Sequence, residues 1–155
     1  MKKSSQKLSA DVIKLIEQGD HDTAKKYLNF VDRDGRSPVF YSIAANNTDM
    51  LRNLLFAGAD SNLQDKNGWT PLHHAVQADN LEAIYFLLQS GANIEICDNH
   101  GNTPLWRAVF ASKGKGDTIS LLINSGANAN AKNHSGISPR DLAEQISNYD
   151  IIQFF

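Results

Sequence analysis

Asp65-Lys66-Asn67-Gly68-Trp69-Thr70-Pro71 is the stretch whose reading decides the fold, because the chain repeats it. Related phrases are Asp32-Arg33-Asp34-Gly35-Arg36-Ser37-Pro38, Asp98-Asn99-His100-Gly101-Asn102-Thr103-Pro104 and Asn133-His134-Ser135-Gly136-Ile137-Ser138-Pro139. Their glycines lie 33, 33 and 35 residues apart. A fixed period of this length builds stacked structural units rather than one closed core, and stacked units present a repetitive surface. Such a surface suits binding better than chemistry.

Working outward from Asp65, the residues up to Gly68 read as a tight turn and Thr70-Pro71 as a helix start. Threonine caps free amides, and proline at the first helical position gives up an N–H that had no partner. Leu72, Ala75 and Val76 then follow helical spacing. Asp79-Asn80 breaks the helix, Leu81, Ile84, Leu87 and Leu88 form a second stripe, and Gly91 closes it as a left-handed cap. Helices this short are marginal alone in water, so neighbouring units must supply their stability.

These residues resemble the ankyrin repeat. Thr70-Pro71-Leu72-His73, Leu87-Leu88 and Gly91-Ala92-Asn93 match that family's pattern. Gly58-Ala59-Asp60-Ser61-Asn62 and Gly126-Ala127-Asn128-Ala129-Asn130 match it again, in phase, over residues 32–143. The resemblance implies an all-α solenoid in which each unit is a β-turn followed by two antiparallel helices. The expected division of the single domain is an N-terminal capping repeat at 8–31, repeats at 32–64, 65–97 and 98–132, and a C-terminal capping repeat at 133–155.

The ends and irregularities carry their own expectations. Val12, Ile13, Leu15 and Ile16, then Ala24, Tyr27 and Leu28, suggest a degenerate first unit whose connection to the next is truncated. Leu142, Ala143 and Ile146 suggest a last helix, with a short second one over 150–155. Ile151, Ile152, Phe154 and Phe155 either cap the core or form an apolar dimerisation patch. The 35-residue interval places two extra residues around Ser112-Lys113-Gly114-Lys115-Gly116-Asp117. This is expected to be a solvated basic loop, since a phosphate-binding loop needs a longer Gly-x-x-x-x-Gly-Lys pattern after a strand.

Composition narrows the function. A formal net charge of −2 gives no electrostatic reason to expect nucleic acid. No apolar run reaches the ~18–20 residues that span a bilayer. Lys2 and Lys3 are not followed by the apolar stretch of a signal peptide, because Asp11, Lys14 and Glu17 interrupt it. A lone Cys97 excludes a disulfide framework and reads as a partly buried small residue near a turn. These features lead us to expect a cytoplasmic monomer.

No catalytic set has a recognisable context, and the recurring aspartates serve the turn. His73 and His74 are adjacent, so on a helix they point about 100° apart, unlike metal ligands at i, i+4. His73 occupies the family's structural histidine position. No enzyme activity, cofactor or metal site is therefore expected.

The resemblance implies that partners bind along the turn tips and the concave face made by the first helices. It assigns Arg33, Asp34, Arg36, Lys66, Asn67, Trp69, Asn99, His100, Asn102, His134, Ser135 and Ile137 to exposed turn positions. The variable first-helix positions are Tyr41, Ala44, Ala45, His74, Gln77, Ala78, Arg107, Phe110 and Ala111. The partner-contacting set is expected to be Arg33, Arg36, Tyr41, Lys66, Trp69, His74, Gln77, Asn99, His100, Asn102, Arg107, Phe110 and His134. Trp69 stands out, because tryptophan and arginine supply large contact areas with polar handles. Its alternative is packing against a neighbouring turn, and Phe40 and Trp106, at the family's histidine position, are expected to wedge into the stack.

The expected function is non-enzymatic binding of another protein, as a stoichiometric inhibitor or immunity-type antidote of an enzyme or toxin. Alternatives are a scaffold or client-escort role, or an enzyme or small-ligand receptor with a site in the groove.

Overall fold

The computed structural model describes residues 7–146 and 149–155. The lysines weighed above as part of a leader, Lys2 and Lys3, lie outside the described residues. Among those described, nine α-helices follow one another: α1 (Ala10–Glu17), α2 (His21–Lys26), α3 (Pro38–Ala44), α4 (Thr48–Phe56), α5 (Pro71–Gln77), α6 (Leu81–Gln89), α7 (Pro104–Ala111), α8 (Asp117–Asn124) and α9 (Pro139–Gln145). A 3₁₀ turn covers Ile152–Phe154. Helices α1, α3, α5, α7 and α9 stack in one layer, α2, α4, α6 and α8 in a second, each touching its neighbour along the row. The chain is the all-α solenoid that the resemblance implies.

Helices α3, α5, α7 and α9 each start where Ser/Thr-Pro places them, and α1 starts after Ser9 without a proline. Thr70 caps α5 and His73 answers with its side chain on the Thr70 backbone N–H, a reciprocal capping box that recurs in α9 with Ser138 and Asp141. Asn47 and Asn80 cap the second helices α4 and α6 in the same way, accepting from the amides of Met50 and Ala83. Between the layers lies the core. Leu72, Ile84, Leu87, Leu105, Ile119 and Leu122 are fully buried, each contributing roughly 1.5–3 kcal/mol by leaving water.

The turn phrase is built by one carboxylate or amide oxygen. Asp65 Oδ1 accepts from the amides of Asn67 and Trp69 at 2.8 and 3.0 Å. Asp32, Asp98 and Asn133 do the same for their own turns. Gly68 follows with φ +77°, and a Cβ there would meet the backbone nitrogen of Asn99 at 2.7 Å. Glycine is required by both the backbone angle and the closeness of the next turn.

Units are tied together along two rows. At the turns, the amides of Lys66, Asn99 and His134 donate to the carbonyls of Asp34, Asn67 and His100 at 2.8, 3.1 and 3.0 Å. In the loops after the second helices, the amides of Asp60, Asn93 and Asn128 donate to the side chains of Asn29, Asn62 and Glu95.

The connection from α2 to α3 is shorter than that from α4 to α5, as the sequence predicts. The link between α7 and α8 is longer than that between α5 and α6, again as predicted. One expectation changes. The basic loop is not simply solvated: Gly116 is buried against the Phe154 ring, and Gly114 lies against Tyr149. Ile151 is fully buried and the Arg140 guanidinium lies 5.4 Å from the Phe155 ring centroid. The segment 149–155 thus covers the end of the stack, which favours capping over an exposed dimerisation patch, although Ile152 stays partly exposed.

Candidate functional site

The second oxygen of each turn aspartate reaches into the first-helix layer. Nine residues after each aspartate stands a long polar side chain that bonds to it. The Tyr41 hydroxyl donates to Asp32 Oδ2 at 2.7 Å, His74 Nε2 to Asp65 Oδ2 at 3.0 Å, and Arg107 to Asp98 Oδ2 from Nε at 3.0 Å and Nη2 at 2.5 Å. A carboxylate only accepts, so His74 Nε2 carries its proton. Arg36 Nε adds a looser ion pair to Asp65 at 3.8 Å. The polar tips of four candidate binding residues are therefore tied to the frame.

These anchors perturb the acids and bases they join. Burial alone would raise the Asp98 carboxyl, but the Arg107 guanidinium and the amides of Asn102 and His100 hold it down at about 2. Burial, reinforced by the bond to Asp32, pushes the Tyr41 phenol up. Burial also lowers His74, against the pull of Asp65.

Between the anchors runs a continuous row of rings. Phe40 meets His74 edge-on at 5.2 Å, and His74 meets Trp69 at 5.1 Å. The Arg107 guanidinium sits 4.9 Å from the Trp69 ring and 5.8 Å from that of Trp106, which stacks on Phe110 at 5.5 Å. The row begins at buried Phe40 and ends at Phe110, which is 63% exposed. It brings together Trp69, His74, Arg107 and Phe110, four of the partner-contacting residues expected from sequence, and does not include Arg36 or Tyr41.

Several expectations are corrected by this arrangement. Trp69 is half-buried under Arg107, packed against the next unit. Asn102 is buried: its amide group donates to Asp98 and accepts from Asn133, and its backbone carbonyl accepts a hydrogen bond from His73 Nε2. The physical reason is shared. The residue after each turn glycine has its amide tied to Asp or Asn Oδ1, which aims its side chain at the following unit rather than at solvent. Phe40 is buried as expected, whereas Trp106 is only half-buried. Cys97 is exposed, contrary to its reading as a partly buried residue. Partial desolvation together with Glu95 and Asp98 pushes its thiol pKa up, away from a reactive thiolate.

The turn tips are presented as expected. Arg33, Lys66, Asn99, His100 and His134 are exposed, with Lys66 Nζ paired to Asp34 Oδ1 at 3.0 Å. Gln77 is exposed at the end of α5. His73 is fully buried, accepting at Nδ1 from the Thr70 amide at 3.2 Å and donating from Nε2 to the Asn102 carbonyl at 3.1 Å. Both ring nitrogens serve the frame, and burial lowers its pKa to about 4. Among the described residues, no three His, Cys, Asp or Glu side chains converge as a metal site requires.

Sequence reasoning did not find the aspartate anchors, although their signal was present. Asp32, Asp65 and Asp98 share the period, and so do Tyr41, His74 and Arg107.

Among the described residues, no helix is long and apolar enough to cross a membrane. No curated protein matches the chain. The family model for ankyrin repeats (3 copies) matches residues 9–96 and again 39–133. Repeats of this kind are generally non-enzymatic modules that mediate protein–protein interactions. Shared turn phrases, stacked helix pairs and a match extending over most of its length place this chain in the ankyrin repeat family.

Proposed function

We propose that the protein works by binding one protein partner across its first-helix layer and turn tips, and that occlusion of that partner, an enzyme or toxin, is the outcome. The observation that carries this reading is Phe110. A large apolar ring left 63% exposed costs solvation, yet it is stacked on Trp106 rather than free to fold away. Rigid, exposed aromatics of this kind serve as interface anchors, because little side-chain entropy is lost when they dock. In this reading 8–31 and 133–155 cap the array, which acts as a cytoplasmic monomer. Arg33, Lys66, Asn99, His100, His134 and Gln77 supply the polar rim, while Trp69, His74, Arg107, Tyr41 and Arg36 hold the surface in shape.

The test is co-purification from the native host with the unaltered chain and with Phe110→Ala. Capture of one enzyme whose turnover falls to zero at equimolar chain supports the reading. A complex that forms but retains full enzyme activity excludes inhibition and leaves escort or scaffolding.

A further inference from the structure

Where α5 and α7 end, their last residues border a groove of about 380 Å³ lined by Gln77, Ala78, Asp79, Phe110, Ala111, Ser112, Lys113 and Lys115, two cations against one carboxylate. Ala78, Phe110 and Ala111 supply its apolar lining, and the inserted loop forms one wall. The three residues that follow the first helices in left-handed backbone are Asn46, Asp79 and Lys113, with φ of 50°, 51° and 48°. Asparagine and aspartate tolerate that conformation; lysine does so at a cost. The fourth unit thus holds a cation in a strained position where the two units before it carry residues suited to it, and strain of this kind points to use.

The charges in the groove are unbalanced. Lys113 makes no ion pair among the described residues. Lys115 is 74% exposed and only 3.5 Å from Asp79, whose other oxygen accepts from the Thr118 hydroxyl at 2.7 Å. Behind the wall, Gly114 and Gly116 receive the rings of Tyr149 and Phe154. A Cβ on Gly114 would lie 2.7 Å from Tyr149, and one on Gly116 would overlap the Phe154 ring. The two glycines let the segment 149–155 press against the loop that carries the lysines.

We propose that this groove receives one apolar side chain flanked by carboxylates, presented by an acidic segment of the protein partner, and that the 149–155 segment braces its cationic wall. The inference rests on the protein-binding reading above and adds the partner's chemistry to it. The apolar lining takes the side chain, while the unpaired Lys113 ammonium, beside the exposed Lys115 that Asp79 holds at 3.5 Å, selects acids and speeds encounter. Nucleic acid would need a broader basic face than a chain of formal charge −2 offers.

The probe is a phage-displayed library of random 12-residue peptides selected on the full chain, with enriched peptides titrated by fluorescence anisotropy. Enriched peptides should carry an apolar residue between Asp or Glu and bind more weakly as salt rises. Lys113→Asn relieves the backbone strain, so it should keep or raise the thermal midpoint while weakening these peptides about tenfold. Phe110→Ala should weaken them at least as much, and a Lys66→Ala/His100→Ala pair should not. Phe154→Ala, with native circular dichroism, should weaken them without touching the peptide; unchanged affinity there overturns the bracing. Peptides without acidic bias, or affinities unmoved by Lys113→Asn and Phe110→Ala, overturn the groove. If binding responds to the turn-tip pair alone, the groove falls and the protein-binding reading stands. If nothing is enriched over a heat-denatured control, both fall.

Discussion

Arg107 brings Nε and Nη2 onto a single oxygen, Oδ2 of Asp98, while the face of its guanidinium lies against Trp69. The Asp98 side chain is fully buried and that of Arg107 is 16% exposed, so this pair is not a surface salt bridge. Removing the cation leaves a buried carboxylate served only by turn amides and Asn102. Arg107→Ala should therefore lower unfolding free energy by about 2–3 kcal/mol, measured by urea denaturation at pH 7. A loss below about 0.5 kcal/mol, the range of exposed pairs, would contradict that role. Arg107→Lys should recover only part, because a compact ammonium cannot both stack on the indole and fork onto the carboxylate.

Acid should weaken the fold in two stages. His73 has its pKa lowered from 6.5 to about 4 by burial, so the unfolded chain takes up a proton that the folded chain refuses. Its contribution is full above pH 6.5 and is lost as pH falls towards 4, an effect of order 3 kcal/mol. Below that, Asp98, held at about 2, gives up its contribution as pH falls from the ordinary carboxylate range. Denaturation midpoints of the parent and His73→Gln between pH 7 and 4.5 check the first stage. The variant should be less stable at pH 7 and show a shallower decline, and parallel curves would rule the assignment out.

Two helix caps that look alike in sequence should behave differently. Thr70 both accepts from the His73 amide and holds the His73 ring, so Thr70→Ala should cost about 1–2 kcal/mol. Ser37, at the same point of its unit, makes no cap bond and its buried hydroxyl has no partner among the described residues. Phe40 replaces the histidine that would have answered it. Ser37→Ala should change stability by less than about 0.5 kcal/mol in either direction, read from chemical denaturation of both variants.

Surface and frame should separate cleanly by mutation. Phe110→Ala should leave the thermal midpoint within a few degrees and weaken partner binding by ~2 kcal/mol or more. Trp69→Ala should chiefly lower the midpoint, since it removes the ring that Arg107 and His74 pack against. Calorimetric melting beside titration with the co-purified partner measures both; the opposite pattern would return Trp69 to the binding face.

The units were legible in the sequence because each is specified locally. Thr-Pro starts a helix, a turn aspartate and glycine close a loop, and apolar spacing chooses the face, so Thr70, Pro71 and the Leu72 stripe could be read without knowing their neighbours. What Trp69 and Asn102 do could not be read that way. Their side chains are aimed by a hydrogen bond within one turn but used by the next, and no single unit contains both halves of that relationship. Lys113 was visible as part of a basic loop; its left-handed backbone, which makes it unusual, was not.

The two rows of bonds that join each unit to the next have a mechanical consequence. One row lies at the turns and the other in the loops after the second helices, so the seams between the second and third and between the third and fourth units are each held at two separated lines rather than at one hinge. A load applied across the layers must break both lines of a seam before it can part. A molecule pulled from its two ends should thus lengthen in discrete steps of one unit each, with the two central seams resisting as strips rather than as pivots and the terminal units parting first.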